Sequence, residues 1–212
     1  MPSWIQIFST FIPILTLLAL PLLIKKLKKN TTSKVDEFYQ HLQGIGIKAY
    51  ITNLEKDDDT GKVGLGGRFT SQKSEGLIEL RNLNSGFINI VADSTQYGVN
   101  YYLDYLVKIP NLLWSSPHRK IKLVRKKTSI LTGKTIDLEW KGNVSITQIL
   151  NSDYRIKDKL FQGGFDTMKG NIWIYPEPKH GYYRIRSTYF LPTRLIFDAI
   201  DIIAKHIKSF NY

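Results

Sequence analysis

The sequence predicts an α+β fold: a single transmembrane helix followed by a mostly antiparallel sheet with packed helices. Three observations predict it. An uncharged apolar stretch opens the chain, period-two alternation dominates its middle, and an amphipathic stripe at helical spacing closes it. A run of strands, a helical stretch, two more strands and a final helix is the element order of an α+β domain.

From Trp4 to Ile24 no residue is charged. As a helix this stretch is roughly 31 Å long, which matches a hydrocarbon core of about 30 Å. Its 13 Ile, Leu and Phe residues supply roughly −4 to −8 kcal/mol of insertion free energy. Pro13 and Pro21, costly in a water-exposed helix, are tolerated in a spanning one. A cleaved secretory signal would carry its basic residues before the apolar run and small residues at its end. Here Lys25, Lys26, Lys28 and Lys29 follow the run instead. The positive-inside bias therefore places the short amino end outside and the carboxyl side in the cytoplasm. The expected organisation is an external residue stretch 1–3, a span at 4–24, a basic juxtamembrane linker at 25–34 and a basic domain at 35–212.

Ser33 and Asp36 make a capping box, Val35, Phe38, Tyr39 and Leu42 share a helical face, and Gly44 stops that helix. The period then changes to two, with Ile45, Ile47, Ala49 and Ile51 on one strand face. Asp57 to Gly61 reads as a loop and Val63 to Phe69 as a glycine-rich strand. Short strands are expected at Leu77–Leu80 and Phe87–Ala92. The clearest strand runs from Val99 to Lys108, with Val99, Tyr101, Leu103, Tyr105 and Val107 sharing a face and Pro110 closing it. Arg119–Ile130 and Ile136–Trp140 form a hairpin. Ser145–Phe161 is helical, interrupted near Asn151–Asp153, and Gly163-Gly164 ends it. Ile172–Tyr175 and Tyr182–Phe190 form a second hairpin. In the last helix, Thr193 to about Phe210, the charges Arg194, Asp198, Asp201, Lys205 and Lys208 make one stripe opposite Ile196, Ile200, Ile203 and Ile207.

Several chemistries lack their residues. With no cysteine there is no disulfide, thiolate metal site or cysteine nucleophile. Thr132-Gly133-Lys134-Thr135 resembles the end of a phosphate-binding loop, but Thr128 stands where its first glycine belongs, and no helix follows. Gly44-Ile45-Gly46 ends a helix rather than opening one, and Gly64, Gly66 and Gly67 fit no dinucleotide fingerprint either. Asp57, Asp58 and Asp59 lack the remaining ligands of a calcium loop. His41, His118, His180 and His206 show no metal-binding spacing, and no Gly-x-Ser-x-Gly elbow occurs. No cofactor or metal is expected, and a binding role is expected over an enzymatic one.

Charge is the strongest remaining feature. Formal charge is +12 overall and +8 from Asn30 onward, of which +6 falls between Asn111 and Gly142. Lys120 and Lys122 share one strand face, and Arg184 and Arg186 repeat that alternation in the later hairpin. The expected function is a binding or scaffolding module at the anionic inner membrane surface. Its expected contacts are Lys25, Lys26, Lys28 and Lys29 beside the span, with Arg119, Lys120, Lys122, Arg125, Lys126 and Lys127 in the domain. Expected partners are the lipid bilayer, its anionic lipids or a membrane protein. Nucleic acid is not among them, because no nucleic-acid-binding signature is present. The alternatives are a lipid- or amphiphile-binding module with an internal apolar cavity, and an enzyme of unassigned reaction.

Overall fold

A computed structural model describes residues 33–52, 71–109, 120–129, 133–168 and 170–210. The expected span, the four lysines after it, the Asp57–Gly61 loop, the Val63–Phe69 strand, Pro110 and Arg119 lie outside the described residues. No helix among the described residues is long and apolar enough to cross a membrane.

Eight strands form one sheet, and every pairing is antiparallel. The elements are α1 (Lys34–Gly44), β1 (Ala49–Thr52), β2 (Gln72–Leu80), β3 (Phe87–Thr95), β4 (Gly98–Lys108), β5 (Ile121–Lys127) and β6 (Thr135–Lys141). They continue with α2 (Val144–Ser152), α3 (Tyr154–Gln162), β7 (Ile172–Glu177), β8 (Tyr182–Thr188) and α4 (Arg194–Phe210). Strand order is β1-β2-β3-β4-β8-β7-β5-β6. The last hairpin is thus inserted between β4 and β5, and β8 occupies the middle of the sheet.

The local signals act as expected. Ser33 caps α1 by accepting from the Asp36 N–H at 3.0 Å. The interruption falls at Asp153, which ends α2 and caps α3 by accepting from the Arg155 N–H at 3.0 Å. His206 of α4 lies 2.8 Å from the same carboxylate, tying the two helices together. Gly181, at φ +69°, turns β7 into β8. At Gly142, φ is +140°, and a Cβ there would sit 2.5 Å from the Lys120 carbonyl, so only glycine lets β6 leave the sheet beside β5.

One sheet face carries the core. Ile78, Ile88, Ile90, Leu103, Tyr105, Ile121, Ile174 and Ile185 pack with Phe38, Leu150, Leu160, Phe197 and Ile200 from the four helices. The α4 stripe of Ile196, Ile200, Ile203 and Ile207 is buried as the helical periodicity requires. Tyr105 meets Phe197 edge-on, with ring centroids 6.1 Å apart. Its hydroxyl is buried with no hydrogen-bond partner among the described residues, and burial pushes the phenol above its ordinary pKa. An unsatisfied buried hydroxyl costs free energy, so Tyr105→Phe is expected to stabilise the domain by about 1 kcal/mol. In thermal unfolding that gain appears as a rise of roughly 2–4 °C in Tm. A fall would show that the hydroxyl is bonded.

The opposite face is not simply solvated. Leu77, Leu106 and Tyr182 form a second, smaller cluster there, with Phe87 against them.

Candidate functional site

The register defines two ends of the sheet. Thr95 pairs with Gly98 at the β3–β4 turn, Tyr102 with Thr188, Ile172 with Ser187, and Lys127 with Thr135. These positions share one end. The start of α1 lies there as well, because the Lys34 ammonium sits 4.9 Å over the Tyr189 ring. Lys34 also lines a groove of about 390 Å³ with Val99, Tyr101, Tyr102, Thr188 and Tyr189. Tyr97, at the hairpin tip of the same end, is 90% exposed, and Val99 is 50% exposed.

Beside that groove the sheet opens. β5 pairs with β7 only at Ile121–Ile174 and Lys122–Trp173, yet it continues to Lys127. β7 starts at Ile172, one residue before Trp173, so the β5 edge past Lys122 faces a cleft of about 780 Å³ instead of a described strand. Lys122, Arg125, Lys127, Asp166, Trp173 and Thr188 are among its lining residues. Among the described lining residues, three cations against one carboxylate leave the cleft electropositive. Thr188 belongs to both the cleft and the groove, which makes them neighbours.

The basic residues singled out in the sequence divide into distinct situations. Arg119 and the four juxtamembrane lysines lie outside the described residues. Lys120 stacks over Trp173 and Tyr175, 5.0 and 5.2 Å from the ring centroids. Arg125 clamps the segment after α3: its Nη2 donates to the Phe165 and Met168 carbonyls at 3.1 and 3.3 Å. Its guanidinium also lies 4.2 Å from the Phe165 ring centroid. Burial lowers the Arg125 pKa below its ordinary value, and Asp166 opposes that effect. Lys126 is held by Asp137 and Glu139 at 3.5 and 3.4 Å, and the Glu139 carboxylate raises its pKa. Lys122 and Lys127 are exposed and form no ion pair with a described residue. The two cations that remain available both line the cleft.

Arg184 and Arg186 depart from the expected exposed alternation. They are 6% and 7% exposed. Asp104, fully buried, accepts from Arg186 Nε and Nη2 at 2.7 Å each. Arg184 Nη1 lies 3.5 Å from the same carboxylate, and Arg184 Nη2 donates to Glu177 at 2.8 Å. Burial works against charge on Arg186, and Asp104 more than offsets it. The physical reason is strand position: β8 has β4 on one side and β7 on the other, so its side chains meet partners from both. Asp104 is the one acid between Val99 and Val107, and it interrupts the apolar and aromatic run from Tyr101 to Val107. That anomaly was the available signal for a buried ion pair. Nothing comparable marked Asp166 or Met168, which reach the cleft from an irregular segment.

Among the described residues, no three His, Cys, Asp or Glu side chains come together as a metal site. His41 Nε2 lies 2.7 Å from the Pro192 carbonyl, a tie between α1 and the approach to α4. No protein-family model, curated protein or solved structure matches this chain.

Proposed function

We propose that the protein is a single-pass membrane protein whose basic α+β domain binds the anionic cytoplasmic face of the bilayer with the cleft-bearing end of its sheet. The observation that carries this reading is a coincidence of position. The domain is entered at Lys34, at the sheet end that also bears Tyr97, Val99 and Lys127, and the cleft runs from that end toward Lys122. At most roughly 18 Å of extended chain separates Lys29 from Lys34. A domain so tethered presents that end to the headgroups, where each nearby cation contributes about 1 kcal/mol. Tyr97 suits the same boundary, since an amphipathic ring partitions to the interface. The helix–sheet interior is occupied by closely packed side chains, which favours surface binding over carriage of an amphiphile inside the sheet.

Every described member of the main core lies at or after Val35, so a soluble chain beginning at Asn30 carries all of the described core. This chain is expected to sediment with phosphatidylglycerol vesicles at 0.01 M salt and to release as ionic strength approaches 1 M. Over that interval the Debye length falls from about 30 to about 3 Å. Equal recovery with phosphatidylcholine vesicles would overturn the reading. The full chain is expected to stay with membranes through an alkaline wash, and its appearance in the supernatant would remove the anchor from the proposal.

A further inference from the structure

We infer that the cleft between β5 and β7 is a binding site for a phosphate monoester. The inference deepens the membrane-surface reading and rests on it only if the monoester comes from a lipid.

Three features of the cleft select this chemistry. Among the described lining residues, Lys122, Arg125 and Lys127 against Asp166 leave a net charge of +2, which a dianion balances and a carboxylate or phosphodiester balances by half. A phosphate monoester is largely dianionic above its second pKa of about 6. The cleft is also rich in donors. Beyond Lys122 the inner edge of β5 has no strand partner among the described residues, so the N–H groups on that edge carry no ladder bond to a described strand and can face an acceptor-only ligand alongside the ammonium groups. A peptide strand added to this edge would gain the same backbone bonds, but the excess of cations would stay uncompensated. Finally, Trp173 and Met168 give the walls apolar surface, so the phosphate is expected to arrive on a body larger than itself.

Lys122 and Lys127 are the contacts to test, because neither forms an ion pair with a described residue. Arg125 is unsuitable, since it anchors Phe165 and Met168 and its loss would disturb the fold. The control is Lys179, exposed at the β7–β8 turn on the far end of the sheet.

The full chain, held in phosphatidylcholine nanodiscs at pH 8, is titrated calorimetrically with glycerol 3-phosphate and, separately, with dimethyl phosphate. The expected result is binding of the monoester at least about tenfold tighter than the diester, from the doubled charge and the charge-assisted hydrogen bonds it adds. Lys122→Ala and Lys127→Ala should each weaken the monoester by about tenfold, while Lys179→Ala leaves it unchanged. Lowering the pH from 8 to 5 should also weaken it as the phosphate takes up its second proton. Equal affinity for the two esters, or indifference to both lysine substitutions, would overturn the site. A short-chain phosphatidic acid separates the sources. Tighter binding than glycerol 3-phosphate assigns a lipid headgroup, and equal or weaker binding assigns a soluble monoester. Failures are also separable. Vesicle sedimentation without monoester preference removes only this site, whereas monoester preference without sedimentation removes only the membrane-surface reading.

Discussion

Asp104→Ala is expected to destabilise the domain by about 3–5 kcal/mol, the usual consequence of stripping one partner from a buried ion pair. Thermal unfolding should register this as a fall of roughly 6–20 °C in Tm for a chain of this size. Asp104 faces two guanidinium groups at the centre of the sheet, and both lie under a tenth exposed. Without it, Arg186 loses both of its short charge-assisted bonds, and Arg184 is left with Glu177 alone. Asp104→Asn keeps the shape but removes the charge, so most of the loss should persist. Replacing Asp104, Arg184 and Arg186 together with apolar residues of similar volume should cost less than the single substitution, because no charge is then stranded. A loss below about 1 kcal/mol for Asp104→Ala would mean that solvent reaches this network.

Phe197→Ala should cost a similar amount, about 3–5 kcal/mol, by a different mechanism. Phe197 is fully enclosed where α4 crosses the sheet, and its ring meets Tyr105 edge-on. Truncation leaves a cavity against Tyr105 within the main core, whose packed side chains relax only partly. The aromatic pair adds about 0.5–1.5 kcal/mol beyond the buried area. Urea unfolding should show a lowered midpoint with an unchanged slope, the sign of lost stability without a change in the surface exposed. Tyr97→Ala provides the contrast. At 90% exposure, that ring should contribute within about 0.5 kcal/mol to stability, although the membrane-surface reading gives it a role in vesicle binding. A large stability effect at Tyr97 would place it in the core and take it away from the interface.

How far the sequence could be read depended on how local the governing physics is. The capping of α1 by Ser33, the break at Asp153 and the four-isoleucine stripe of α4 are properties of a few adjacent residues. Each was visible in spacing alone, and each appears where expected. The alternation from Val99 to Val107 identified the core face of β4 for the same reason, with Leu103, Tyr105 and Val107 fully buried. Strand ends were less legible. β2 starts at Gln72 rather than Leu77, because its first half is held by pairing with β3 and not by apolar content.

The candidate site shows the other limit. The concentration of charge between Asn111 and Gly142 is plain in the sequence, yet charge alone does not distinguish Lys126, which Asp137 and Glu139 neutralise, from Lys122 and Lys127, which they do not. Arg184 and Arg186 carry the same alternating pattern as Lys120 and Lys122 and end in the opposite environment. What separates the pairs is the insertion of the β7–β8 hairpin between β4 and β5, a non-local choice that places one strand at the sheet centre. The residues by themselves determined the helices, their caps, the core faces and the location of the positive charge, because short-range periodicity and side-chain chemistry govern these. Only the tertiary structure decided strand order, the buried Asp104–Arg186 pair and the cleft where β5 outruns β7, because these depend on which distant segments share an edge.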